Sequence, residues 1–130
     1  MTQPLLAYIF TGVVAVVAVF QLALMCGAPF GHLAMGGRFP ARFPATLRVA
    51  ALVQAILLAF FALVTLSKAK VLWVQYYDVA ENVIWVVVAV SGLSLIMNLV
   101  TPSKWERMLW APVAGVMLLT SGLLAAQVGA

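Results

Sequence analysis

Leu5 to Met25 is a run of 21 residues without a charged side chain, the first of four long apolar stretches in a chain of 130 residues. At 1.5 Å rise per residue a helix of that length is about 32 Å long, which matches a hydrocarbon core of about 30 Å. A strand reading fails on physical grounds. A lone strand leaves its N–H and C=O groups unpaired in lipid, and the Val- and Ala-rich run lacks the alternation that builds a transmembrane barrel. The run ends in Leu22-Ala23-Leu24-Met25-Cys26, which has the outline of a lipoprotein cleavage site. A Met stands where a small residue is needed before the cysteine, however, and no Lys or Arg precedes the run, so the first helix is expected to be retained.

Composition agrees with lipid as the solvent. Hydrophobic residues make up 66% of the chain and charged residues 8%, against about 45–50% and about 25% in an ordinary soluble domain. With mean hydropathy at +1.17, too few polar groups are available to cover a globule in water. The net charge of +4 would raise nucleic acid as a partner for a soluble protein. Here the basic residues sit in short connections between apolar runs, where they report topology, and no nucleic-acid partner is read. Cys26 is the single cysteine, so no intramolecular disulfide can form, and no CxxC or paired Cys/His spacing suggests structural zinc.

Gly27 to Pro44 is the most irregular stretch. Four glycines alternate with Pro29, Pro40 and Pro44, and Arg38 and Arg42 add charge. These residues break helices, and a loop of this length is commonly functional. A second span is expected over residues 45–66, with Pro44 at a tolerated first-turn position and Arg48 at the interface. Lys68 and Lys70 close it, and Val71 to Tyr77, with Trp73, Tyr76 and Tyr77, reads as a headgroup-zone segment. Asp78 and Glu81 have capping-box spacing, which predicts a third helix over 79–100. Thr101 and Pro102 stop it. Ser103-Lys104-Trp105-Glu106 offers another capping box, starting a fourth helix over 104–128 that contains Pro112. The fold class expected is all-α: one domain, residues 1–130, forming a four-helix transmembrane bundle of two hairpins.

Orientation follows from the basic residues. The first and third loops with their flanks hold Arg38, Arg42, Arg48, Lys104 and Arg107, five of the seven, against Lys68 and Lys70. Positive-inside puts loops one and three in the cytoplasm of a bacterial inner membrane, with both termini outside.

Ionisable groups inside spans are the usual mark of membrane chemistry, and none lies in the middle of a span. Asp78, Glu81 and Glu106 fall at helix starts, where carboxylates favour the positive end of the dipole. On this topology Glu106 lies on the opposite membrane face from the other two. These placements point away from an enzyme, and no cofactor is implied. A weaker reading draws on Met25, Cys26, His32 and Met35, soft or borderline ligands within eleven residues that could hold copper(I) or an axial haem position. Against it, Cys26 can pack as a small apolar residue and His32 can sit at the interface.

The polar residues within spans are Gln21, Gln54 and Asn98, with Ser91, Ser94, Thr120 and Ser121. All three amides fall in the half of the bilayer nearer loops one and three. Amides in lipid need partners, either one another across helices or a water-filled vestibule. Gln21, Gln54 and Asn98, with His32 and Arg38 from the first loop, are therefore candidates to line a solute site. Small residues spaced for close packing, Ala111 with Gly115, Ser121 with Ala125 and Gly122 with Ala126, suit either intrachain packing or a homo-oligomer. Partners expected are the lipid bilayer together with further copies of the chain or a larger membrane protein, for which it would be an accessory subunit.

The motifs Cys26-Gly27-Ala28-Pro29-Phe30-Gly31-His32, Gly36-Gly37-Arg38, Pro44, Arg48 and Ser103-Lys104-Trp105-Glu106-Arg107 before Trp110-Ala111-Pro112 resemble those of small uncharacterised four-helix membrane proteins of bacteria. The resemblance covers nearly the whole chain and implies the architecture without an activity. Four-helix transporters of the small multidrug type are similar in size, but they rely on a carboxylate in the first span and Leu5 to Met25 contains none.

Overall fold

The computed structural model of the chain describes residues 2–29 and 44–127, the Glu106 side chain excepted. These residues form four helices, α1 (Gln3–Met25), α2 (Ala45–Lys68), α3 (Tyr77–Val100) and α4 (Lys104–Ala126), with a short 3-10 turn, Val74–Tyr76, leading into α3. Each is long and apolar enough to cross a membrane, and no strand occurs among the described residues. The chain is an all-α, four-span membrane protein.

Helix ends explain where the boundaries depart from expectation. α1 starts two residues earlier because Thr2 caps it: its Oγ1 accepts from the Leu5 N–H at 3.3 Å. Pro4 occupies the first turn, where a missing N–H is harmless. α3 begins at Tyr77 rather than Val79, so Asp78 lies inside the first turn instead of capping it, and the N-cap Tyr76 makes no side-chain cap bond. The 3-10 turn supplies the start that a capping box was expected to supply. The Asp78 carboxylate still sits beside the positive end of the dipole. At α4 Ser103 occupies the residue before the helix, and the Glu106 half of that box lies outside the described side chains.

α1 packs along α2 and α3 along α4, and the α1–α4 and α2–α3 faces close an up-down-up-down bundle. Its surface is apolar: Val19, Ile56 and Ile96 are each more than half exposed, as lipid contact requires. With lipid outside, helix association rests on close packing rather than on removing apolar surface from water. The larger packed core lies toward one end. Leu6, Phe10, Val14, Val64, Ala80, Ile84, Val87 and Leu124 belong to one cluster, drawn from the first halves of α1 and α3 and the second halves of α2 and α4. On α4 the small residues Ala111, Ser121 and Ala125 are buried inside the bundle. A side chain at Gly115 or Gly122 would meet nothing within 4 Å. Several hydroxyl groups are satisfied within their own helices: Thr65 Oγ1 donates to the Ala62 carbonyl at 2.8 Å and Ser121 Oγ to the Met117 carbonyl at 2.6 Å, whereas the buried Thr11 and Ser91 hydroxyls have no partner among the described residues.

The α2–α3 connection is pinned at the packed end. The fully buried Lys68 donates through Nζ to the Gln127 carbonyl at 2.5 Å and lies 5.4 Å from the Tyr77 ring centre. This ties the end of α4 to the end of α2. α2 itself finishes in a Schellman arrangement: the Lys70 N–H donates to Ser67 O and the Val71 N–H to Leu66 O. Lys70 thereby takes φ +61°, the left-handed region that glycine favours. Lys70→Gly is expected to stabilise the bundle by about 0.5–1 kcal/mol, net of the lost cation–π contact, read as a raised denaturation midpoint in detergent.

Candidate functional site

At the opposite end, nearest loops one and three, the four helices enclose a cavity of about 390 Å³. Its floor is Phe61 and Met117, both buried members of the packed core. A second small cluster, Leu24 against Ala51 with Phe20, Met25 and Leu47, holds α1 to α2 beside the cavity. Phe20 and Trp110, with ring centres 4.7 Å apart, hold α1 to α4.

Gln21, Gln54 and Asn98 all line this cavity, joined by Ser94. The antiparallel register that sets Leu24 against Ala51 brings Gln21 and Gln54 to one depth. The Phe20–Trp110 pair and the packing of Leu118 at Gly92 carry the register through α4 to α3. On that register Asn98 lies within about one helical turn, ~5 Å, of the same depth. The amides thus form a polar layer above an apolar floor.

Their bonding differs. Asn98 Nδ2 donates to the Ser94 carbonyl one turn back at 2.7 Å, leaving its side-chain oxygen and second N–H available. Gln21 and Gln54 make no hydrogen bond among the described residues. They are not glue between helices in this structure, and each keeps two donors and a carbonyl acceptor for other use.

Charge is distributed unequally. Arg48, Lys104 and Arg107 lie at the cavity end, whereas Asp78 and Glu81 lie at the packed end; Glu106 belongs by sequence to the cavity end. Arg48 also organises the end of α1. Its Nε donates to the Met25 carbonyl at 2.8 Å, and its guanidinium packs over Gly27, which takes φ +90°. The Gly27 N–H donates to Leu24 O and the Ala28 N–H to Ala23 O, a second Schellman ending. The sequence marked Arg48 only as an interfacial charge. Its contact with α1 had no signal beyond the glycine after a long helix. Ser94 could have been found, because it sits one turn before Asn98 and so shares its face.

His32, Met35 and Arg38 lie outside the described residues. Cys26 is exposed at the end of α1. Among the described residues no group of three His, Cys, Asp or Glu side chains could hold a metal ion. Comparisons with family models, with curated proteins and with solved structures found no match.

Proposed function

We propose that this is a bacterial inner-membrane protein that binds a small hydrogen-bonding ligand in a vestibule facing the cytoplasm, with Gln21, Gln54 and Asn98 as its contacts. The observation that carries the reading is the pair of amides, Gln21 and Gln54, that face a common cavity with no hydrogen-bond partner among the described residues. An amide left without a partner in an apolar setting costs about 1–3 kcal/mol by mutational data. Two such groups at one depth are better explained by a ligand than by helix packing. The buried floor of Phe61 and Met117 favours binding over an open pore. The cytoplasmic assignment rests on the five basic residues of the loop-one and loop-three side against two on the other.

Cysteine accessibility tests this directly. In a Cys26→Ala background, Gln21→Cys and Gln54→Cys are expected to react with a membrane-impermeant thiosulfonate applied to inverted membrane vesicles. Val53→Cys, next to Gln54 but facing lipid, is expected to stay unreacted. Equal, slow reaction at all three positions would remove the vestibule. Reaction only in right-side-out vesicles would reverse the orientation.

A further inference from the structure

We infer that the ligand of this cavity comes from the bilayer: the site takes an anionic lipid, with its head group at the amide layer and its acyl chain entering between α2 and α3. This rests on the reading of the cavity as a ligand site and names the chemical class that fits it.

The first argument is where the cavity opens. Its α1 and α4 walls, including Phe20, Leu24, Ala114 and Met117, are buried or half-buried throughout. The exposed lining residues are Ala50, Gln54 and Leu57 on α2 and Val90 on α3. The opening is therefore a lateral cleft between α2 and α3. These two helices are joined at the far end, where Val64, Ala80 and Ile84 pack in the core. In a membrane such a cleft faces acyl chains, so a molecule already dissolved in the bilayer reaches it without leaving lipid.

The second argument is the composition of the walls. Below the amide layer the lining is Leu57, Leu58, Phe61, Val90, Val113 and Met117. A wholly polar solute would leave these walls without favourable contact and would lose hydration against them. A chain with a polar end matches both parts, the chain on the aliphatic and aromatic floor and the head against Gln21, Gln54 and Asn98. Pockets built this way, mainly apolar with a few placed polar groups, are the usual form of a ligand site.

The third argument is charge. Gln21 lies four residues before the end of α1, about 6 Å below it, the depth at which a lipid's polar end gives way to its chain. Arg48, Lys104 and Arg107 lie at this same end of the bundle. An anionic head group is attracted there, and one basic residue within reach of it adds about fivefold in affinity.

Trp110 lines the cavity and serves as the probe. In a variant carrying Trp73→Phe, Trp85→Phe and Trp105→Phe, the full chain is placed in nanodiscs of phosphatidylcholine. Phosphatidylglycerol with brominated acyl chains is expected to quench Trp110 at about one-fifth of the mole fraction that brominated phosphatidylcholine requires. Ala50→Phe and Val90→Phe, which narrow the two lips of the cleft, should each weaken that quenching. Equal quenching by the two lipids, or quenching untouched by both lip variants, overturns the assignment. If neither lip variant folds, the ratio of the two lipids in the parent protein decides. Should the lipid result fail while Gln21→Cys still reacts from the aqueous side, the vestibule stands with a water-borne ligand. Failure of both removes the ligand site itself.

Discussion

Gln54→Leu is expected to make the bundle more stable, by about 1–2 kcal/mol, while abolishing the lipid-dependent quenching of Trp110. Gln54 lies nine residues into α2, level with Gln21, where the apolar lining of Leu57, Leu58 and Phe61 begins. It has no partner among the described residues. Leu is about one methylene larger, has a comparable helix propensity and asks for no hydrogen bond. Gln21→Leu should behave alike. Asn98→Leu is expected to gain less, since its Nδ2 already bonds the Ser94 carbonyl. Unfolding midpoints in mixed micelles check the stability arm. A loss of stability in Gln54→Leu would mean that the amide is structural, and the cavity would lose its strongest argument. Stability surrendered at a binding residue is common where a site must keep polar groups ready for a ligand.

Gly27→Val is expected to destabilise the bundle by about 2–3 kcal/mol, and to do so at the cavity end. Gly27 holds φ +90°, where a β-branched residue is disfavoured by at least about 1–2 kcal/mol. The added Cβ would also stand 3.4 Å from the Arg48 guanidinium. Arg48 has little freedom to retreat, because its Nε is bonded to the Met25 carbonyl at 2.8 Å, and losing a charged bond of that kind costs about 1.5–3 kcal/mol. The Cβ itself stands at contact distance; the two methyl groups beyond it are what would press on the guanidinium, and any shift of Arg48 to make room breaks its bond to Met25, so the two effects overlap. Gly12 serves as the control: a side chain there meets nothing within 4 Å, and Gly12→Ala should be tolerated. The readout is the unfolding midpoint together with Trp110 emission, which reports the cavity wall. A midpoint unchanged in Gly27→Val would show that this helix ending is not under conformational demand.

Much of the architecture was legible because transmembrane helices are read one at a time. The stretches 5–25 and 45–66 overlap α1 and α2 closely, since a run of apolar residues near 20 long already satisfies its own backbone as a helix. The start of α3 lies two residues before the expected one for a local reason. Asp78 and Glu81 fit the spacing of a capping box, but the 3-10 turn over Val74–Tyr76 begins the coil earlier and carries Asp78 into the first turn. The amides were legible as residues of one membrane half, because depth follows from counting along a helix. That Gln21 and Gln54 meet at a single cavity without bonding each other was not. The candidates in the first loop, His32, Met35 and Arg38, fall outside the described residues.

The four apolar runs with which the chain declares itself thus determined the number of spans, their helical nature and the unequal distribution of basic charge between the two sides. Each depends on residues close together in sequence. Only the tertiary structure decided which side of each helix faces its neighbours, that the larger core gathers toward one end, and that a cleft opens between α2 and α3 at the other. The reason lies in the solvent. In lipid the outward residues, such as Val19 and Ile56, are as apolar as the buried Phe10 and Ile84, so no polar face distinguishes inside from outside, and packing alone makes the choice.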